Sequence, residues 1–122
     1  MHKVLNWEDL RSGSGDKIVP VGLAGPINSD ELSLALVELT SDGPGVEPHF
    51  HRSSTEVFLI VEGTGFATVN GESVPIAAGS ILLMERDDVH SVEATSEKLS
   101  FWAISSPPWT PEDHHSAEVI PI

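Results

Sequence analysis

Two histidines separated by one residue, with a glutamate five positions beyond the second, constrain this chain more than any other feature. They lie in the stretch 43–63, GPGVEPHFHRSSTEVFLIVEG, as His49, His51 and Glu56. On a strand, alternate side chains share a face, so His49 and His51 point the same way and Phe50 points away. Residues 52–55 are polar and read as a turn. The run 56–61 is apolar and rich in β-branched residues after its first position, so it reads as a returning strand that carries Glu56 back beside the imidazoles. A third imidazole, His90, follows a second apolar strand at 81–84. Neutral imidazoles with a carboxylate are ligands suited to a borderline divalent metal.

The rest of the chain supplies strands rather than helices. A strand is expected at 32–40, bounded by the turn chemistry of Ser41-Asp42-Gly43-Pro44-Gly45. Gly63-Thr64-Gly65 is expected to break the chain. Asn70-Gly71 between the runs 66–69 and 73–76 is a hairpin signal, because both central residues of a type I′ turn need positive φ. Residues 90–95 and 99–105 are the last two strands. Residues 18–23, with Pro20 and Gly22, suit an edge strand at best. No stretch of twelve or more residues shows helical periodicity with caps. Many short strands with turns every 8–12 residues predict one all-β sandwich or small barrel. Three segments are expected: an entry segment at 1–17, a barrel at 18–106, and a proline-rich acidic tail at 107–122.

Charge and composition exclude several functions. Nineteen acidic residues against six basic ones give a formal charge of −13, which repels phosphate backbones and anionic lipid and predicts neither nucleic acid nor membrane as a partner. Cysteine and tyrosine are both absent, so thiolate ligands, disulfides and phenol chemistry are unavailable. The acidic, weakly apolar N-terminus does not read as a signal peptide, which makes a cytoplasmic location the expectation.

The spacing resembles that of the cupin superfamily. Its first motif, G-(X)5-H-X-H-(X)3,4-E-(X)6-G, is met at every position by Gly43, His49, His51, Glu56 and Gly63. Its second, G-(X)5-P-X-G-(X)2-H-(X)3-N, is met at Gly79 and His90, with Glu85, Asp87 and Ala94 at the other named positions. Aspartate tolerates turn conformations, so Asp87 can stand where the motif has glycine. The resemblance implies a jelly-roll β-barrel with one divalent transition metal (Fe, Mn, Ni, Cu, Zn or Co) held by His49, His51, Glu56 and His90. It also implies a small-molecule substrate and, since open strand edges need covering, a homodimer.

Strand parity puts Phe58 and Ile60 on the face of Glu56 and Val92 on that of His90, as candidates for an apolar wall or for ordinary core. Trp102 could line the pocket or face outward. Arg52 is expected at the surface. His114 and His115, in the tail, are expected to be solvated, and Trp109 could cover the barrel. Open coordination positions leave three chemistries. A dioxygenase acting on a chelating diketone or enol, with Glu56 as both ligand and base, ranks first. A non-redox isomerase, decarboxylase or cyclase using the metal as a Lewis acid comes next. A non-catalytic binding protein is third. Two oxygenase branches are set aside. Thiol dioxygenases of this family lack the glutamate, and 2-oxoglutarate oxygenases use an H-X-D…H order.

Overall fold

The computed structural model describes residues 27–117 as two five-stranded antiparallel sheets packed face to face. The strands in chain order are β1 (Ile27–Asn28), β2 (Ser33–Leu39), β3 (Val46–Phe50), β4 (Thr55–Glu62), β5 (Thr64–Val69), β6 (Glu72–Ala77), β7 (Ile81–Met84), β8 (His90–Ala94), β9 (Leu99–Ser106) and β10 (His115–Ser116). One sheet runs β1-β2-β9-β4-β7 and the other β10-β3-β8-β5-β6. Apart from the β1–β2 and β5–β6 pairs, consecutive strands therefore cross between sheets, which makes the sandwich a jelly roll. The described residues contain no α-helix and one 3-10 turn, Pro111–Asp113. The edge strand expected at 18–23 lies outside the described residues.

Alternation sorts the side chains. Along β4, Glu56, Phe58 and Ile60 are buried, while Val57, Leu59 and Val61 are only partly covered. Phe58 meets Phe101 with ring centroids 4.6 Å apart, and Phe101, Leu99, Ile60 and Met84 are each at most 1% exposed. This single core holds the sheets together, since each buried side chain of this size contributes roughly 1.5–3 kcal/mol.

Turns follow local chemistry. Asn70 (φ 50°) and Gly71 (φ 84°) form the β5–β6 hairpin, as the Asn-Gly pair predicts. Asp87 adopts φ 70°, so aspartate does occupy a left-handed position in the loop before His90. The break expected at 63–65 is shorter than that. Gly63 alone interrupts the ladder, and Gly65 sits inside β5 opposite Ala94. A Cβ at Gly65 would lie 2.3 Å from the Glu93 carbonyl oxygen, so this glycine serves close strand approach rather than a turn.

Candidate metal centre

The four side chains singled out by spacing converge at one end of the sandwich, between the sheets. His49 on β3 and His90 on β8 are register partners in one sheet. Glu56 lies on β4 in the other sheet, opposite Ser105 of β9. His51 follows the end of β3, where the chain leaves for the β3–β4 turn. A register shift between Val46 and His49 marks an irregularity in β3 just before the histidines, and such irregularities re-aim side chains near functional sites. One donor atom from each of the four residues lies within 4.8 Å of every other. All four are buried, at 5%, 3%, 5% and 2% exposure for His49, His51, Glu56 and His90.

The three rings are oriented alike. Each Nδ1 lies beside a backbone carbonyl oxygen: Glu47 for His49 at 2.7 Å, Asp113 for His51 at 2.9 Å, and Asp88 for His90 at 2.9 Å. A carbonyl accepts only, so every Nδ1 carries a proton and donates it. That fixes the tautomer and turns each Nε2 toward the common point, the arrangement metal-ligating histidines need. Among the described residues, His51 Nε2 is the one buried side-chain nitrogen or oxygen without a hydrogen-bond partner. It lies 3.3 Å from Glu56 Oε1, a charge contact without hydrogen-bond direction. Glu56 Oε1 is also 3.0 Å from His90 Nε2, and Glu56 Oε2 accepts from Ser105 Oγ at 3.0 Å. A buried polar atom left unpaired costs about 1–3 kcal/mol, and a cation at the common point would relieve that cost. The donor set fits a divalent transition metal.

Electrostatics favour the same assignment. Burial, reinforced by the neighbouring His90, pushes His49 down to about 3, so it stays neutral near pH 7. Burial also disfavours charge on His51, but the Glu56 carboxylate outweighs it and raises the His51 pKa. Burial likewise opposes charge on Glu56, and its contacts with His51 and His90 overcome this and hold it ionised far below the usual carboxylate range. Without metal, then, Glu56 is an anion faced by a proton-rich His51. A cation would replace that proton.

The apolar candidates separate. Phe58 touches the site, its ring edge-on to His90 at 5.7 Å. Ile60 and Val92 point inward and belong to the hydrophobic core. Trp102 alternates with the buried Phe101 on β9 and pairs with Leu36 and Leu59 on the outer face. Alternation along β9 thus turns Trp102 to the side of the sheet opposite Phe101 and Ser105. Arg52 is exposed, its guanidinium 5.4 Å from the Phe50 ring centroid, as expected of a surface residue.

The tail departs most from expectation. His114 is exposed, as expected, but its ring stacks on His49 at 4.3 Å and 10°, and the half-buried His115 pairs with Phe50 through β10. Asp113, which spacing did not single out, anchors this segment. Its carboxylate accepts from the backbone N–H of Arg52 at 2.8 Å and of Ser53 at 3.0 Å, while its carbonyl oxygen accepts a hydrogen bond from His51 Nδ1. Burial works against the Asp113 charge, but those N–H donors hold its pKa below the usual value. Ser105 was also missed. Its role depends on the register of two strands 49 residues apart, for which the sequence carries no local signal.

The comparisons with known proteins decide the family. Residues 35–105 match the family model described as "Cupin domain". The chain belongs to the cupin family. It is 35% identical over 63 residues to the oxalate-binding protein of Thermotoga maritima, a match over 51% of this cupin and 52% of that relative. The chain thus spans about half the length of that relative. It is 24% identical over 115 residues to the L-ectoine synthase of Vibrio cholerae, covering 93% of this cupin and 73% of the synthase. In fold it is similar to a double-stranded β-helix domain protein of Klebsiella pneumoniae, with a TM-score of 0.76, 14% identity, and coverage of 98% and 100% of the two chains.

Proposed function

We propose that this cupin binds one divalent transition metal through His49, His51, Glu56 and His90 and uses it to hold a small chelating oxyanion, a dicarboxylate or enolisable acid, for non-redox chemistry. The observation that carries the reading is the orphaned His51 Nε2. It faces an ionised Glu56, beside two further imidazoles already fixed in the ligand tautomer. Four protein ligands leave one or two positions on an ion that prefers five or six. When bound, the metal supplies Lewis-acid polarisation of an oxygen ligand.

The chain's own residues do the rest. The three imidazoles stay neutral as ligands and are locked by carbonyl acceptors. Glu56 is the group able to take and return a proton, because Oε2 is steadied by Ser105 while Oε1 faces His51 and His90. Phe58 walls one side of His90 with an apolar ring, which keeps water from that side and strengthens charge interactions within.

The names of the sequence relatives, an oxalate-binding protein and a synthase, support non-redox binding or catalysis. Oxygen-dependent turnover of a diketone, ranked first from the sequence, would use the same open positions, but neither name describes an oxygenase. One experiment separates them. Protein loaded with cobalt or iron is titrated calorimetrically with oxalate and a panel of 2-oxo acids, and oxygen uptake is followed with a diketone panel. The reading expects metal-dependent oxyanion binding without oxygen consumption. Oxygen uptake with a diketone, and no affinity for the acids, would replace it with the dioxygenase.

Assembly is proposed as well. No helix among the described residues is long and apolar enough to cross a membrane, yet the outer face of β7 exposes Ile81 at 69% and Leu83 at 61%. A second copy packing on that edge would cover them. Sedimentation of native chain against the I81E/L83E double variant tests this, with a dimer expected for the first and a monomer for the second.

A further inference from the structure

The C-terminal strap, residues 107–117, is tied down along its length. Ser54 Oγ donates to the Pro107 carbonyl at 2.8 Å, and the Trp109 N–H donates to Ser33 Oγ at 2.9 Å. The Asp113 carboxylate holds the β3–β4 turn, and the Ala117 N–H reaches the Pro48 carbonyl at 3.0 Å. These ties fix one side chain over the metal centre. His114 stacks on His49 and stands edge-on to His51 at 5.6 Å. The ligand rings are at most 5% exposed, whereas His114 is exposed. It is the imidazole of the cluster that an incoming molecule can touch.

Its tautomer is also set. The Trp109 indole N–H, a donor only, lies 3.4 Å from His114 Nδ1. A neutral His114 therefore keeps its proton on Nε2. The strap thus places the exposed His114 ring one ring thickness from a metal ligand, aligned by an indole and by the Asp113 latch.

We infer that His114 donates a hydrogen bond from Nε2 to the oxyanion bound at the metal centre, and so determines which ligands the site takes. This rests on the metal-dependent oxyanion binding proposed above. His114 is not itself a metal ligand, because its donor atoms fall outside the four-residue group.

The test uses the full chain loaded with cobalt and titrated with oxalate, beside the variants H114F and H114Q. Phenylalanine keeps a flat ring on His49 and removes the donor, while glutamine keeps a donor. H114F should bind cobalt within about twofold of native, with an unchanged visible spectrum, and bind oxalate about tenfold more weakly, the loss of one hydrogen bond to a charged acceptor. H114Q should recover part of that loss. Native-like oxalate binding by H114F would overturn the inference and leave the metal reading standing. So would a parallel loss of cobalt affinity, which would make His114 structural. Native protein that binds cobalt but no oxalate would overturn both.

Discussion

The stretch that supplies ligands, 49–56, and the strap that secures them, 107–117, do opposite work in one site. The first is compact in sequence and contributes three donor atoms from a strand end, a loop and a strand start. The second contributes none, yet its Asp113 carbonyl orients His51 and its carboxylate holds the turn between the ligands. The lesson is that the charge of this centre comes from local spacing and its geometry from a segment about 60 residues away. Removing a ligand should abolish the site, and loosening the strap should leave it present but poorly aimed.

The largest effect is expected from the ligands. H49A, H90A and E56Q should each weaken cobalt binding by roughly a hundredfold or more, since an outer-shell partner alone is worth about 10–100-fold. Calorimetric titration checks this, and a ligand variant that still binds cobalt like the native chain would break the comparison. The strap comes next. D113A should reduce cobalt affinity by about 10–100-fold, as expected for a group that positions a ligand. It should broaden the visible spectrum of the bound cobalt as His51 loses its fixed orientation.

A third prediction concerns protons. His51 has a raised pKa and must give up its proton to bind metal, so below that pKa cobalt affinity should fall about tenfold for each unit of pH. Titrations at several pH values would show a slope of about one. Protonation also governs the metal-free fold. The His49 pKa is lowered from 6.5 to about 3 in the folded chain, so between those values the unfolded state binds the extra proton. The His49 contribution is complete above 6.5 and drains away as pH falls, with the lowered Glu56 adding the same sign below its ordinary value. The His51 contribution is already fully present below 6.5 and so does not oppose this trend. The urea midpoint of metal-free protein should therefore drop steadily from pH 6.5 to 4.5. The smallest effect on metal affinity is expected from S105A, which removes one neutral donor to Glu56 and should weaken binding by about three- to tenfold.

How much of this was legible follows from where the determining contacts lie. His49, His51, Glu56 and His90 could be read because strand parity and motif spacing are local quantities. The Asn70-Gly71 hairpin and the left-handed Asp87 could be read because their backbone demands are written in single residues. Gly65 was misjudged because close strand approach and chain breaking both call for glycine. Ser105 and Asp113 stayed hidden because their partners lie 49 and 62 residues away. The dense prolines and acids around His114 resemble a solvated tail. What folds that segment back is a set of single hydrogen bonds to the β3–β4 turn, and none of them alters its hydrophobic pattern.

The central claim is that three imidazoles and one carboxylate grip a shared cation. Anomalous diffraction from crystals grown with cobalt tests it most directly. The account predicts one strong peak between the sheets, about 2.0–2.2 Å from the Nε2 atoms of His49, His51 and His90 and from a Glu56 oxygen. A chain that binds no cobalt there, or a peak held by other residues, would contradict it.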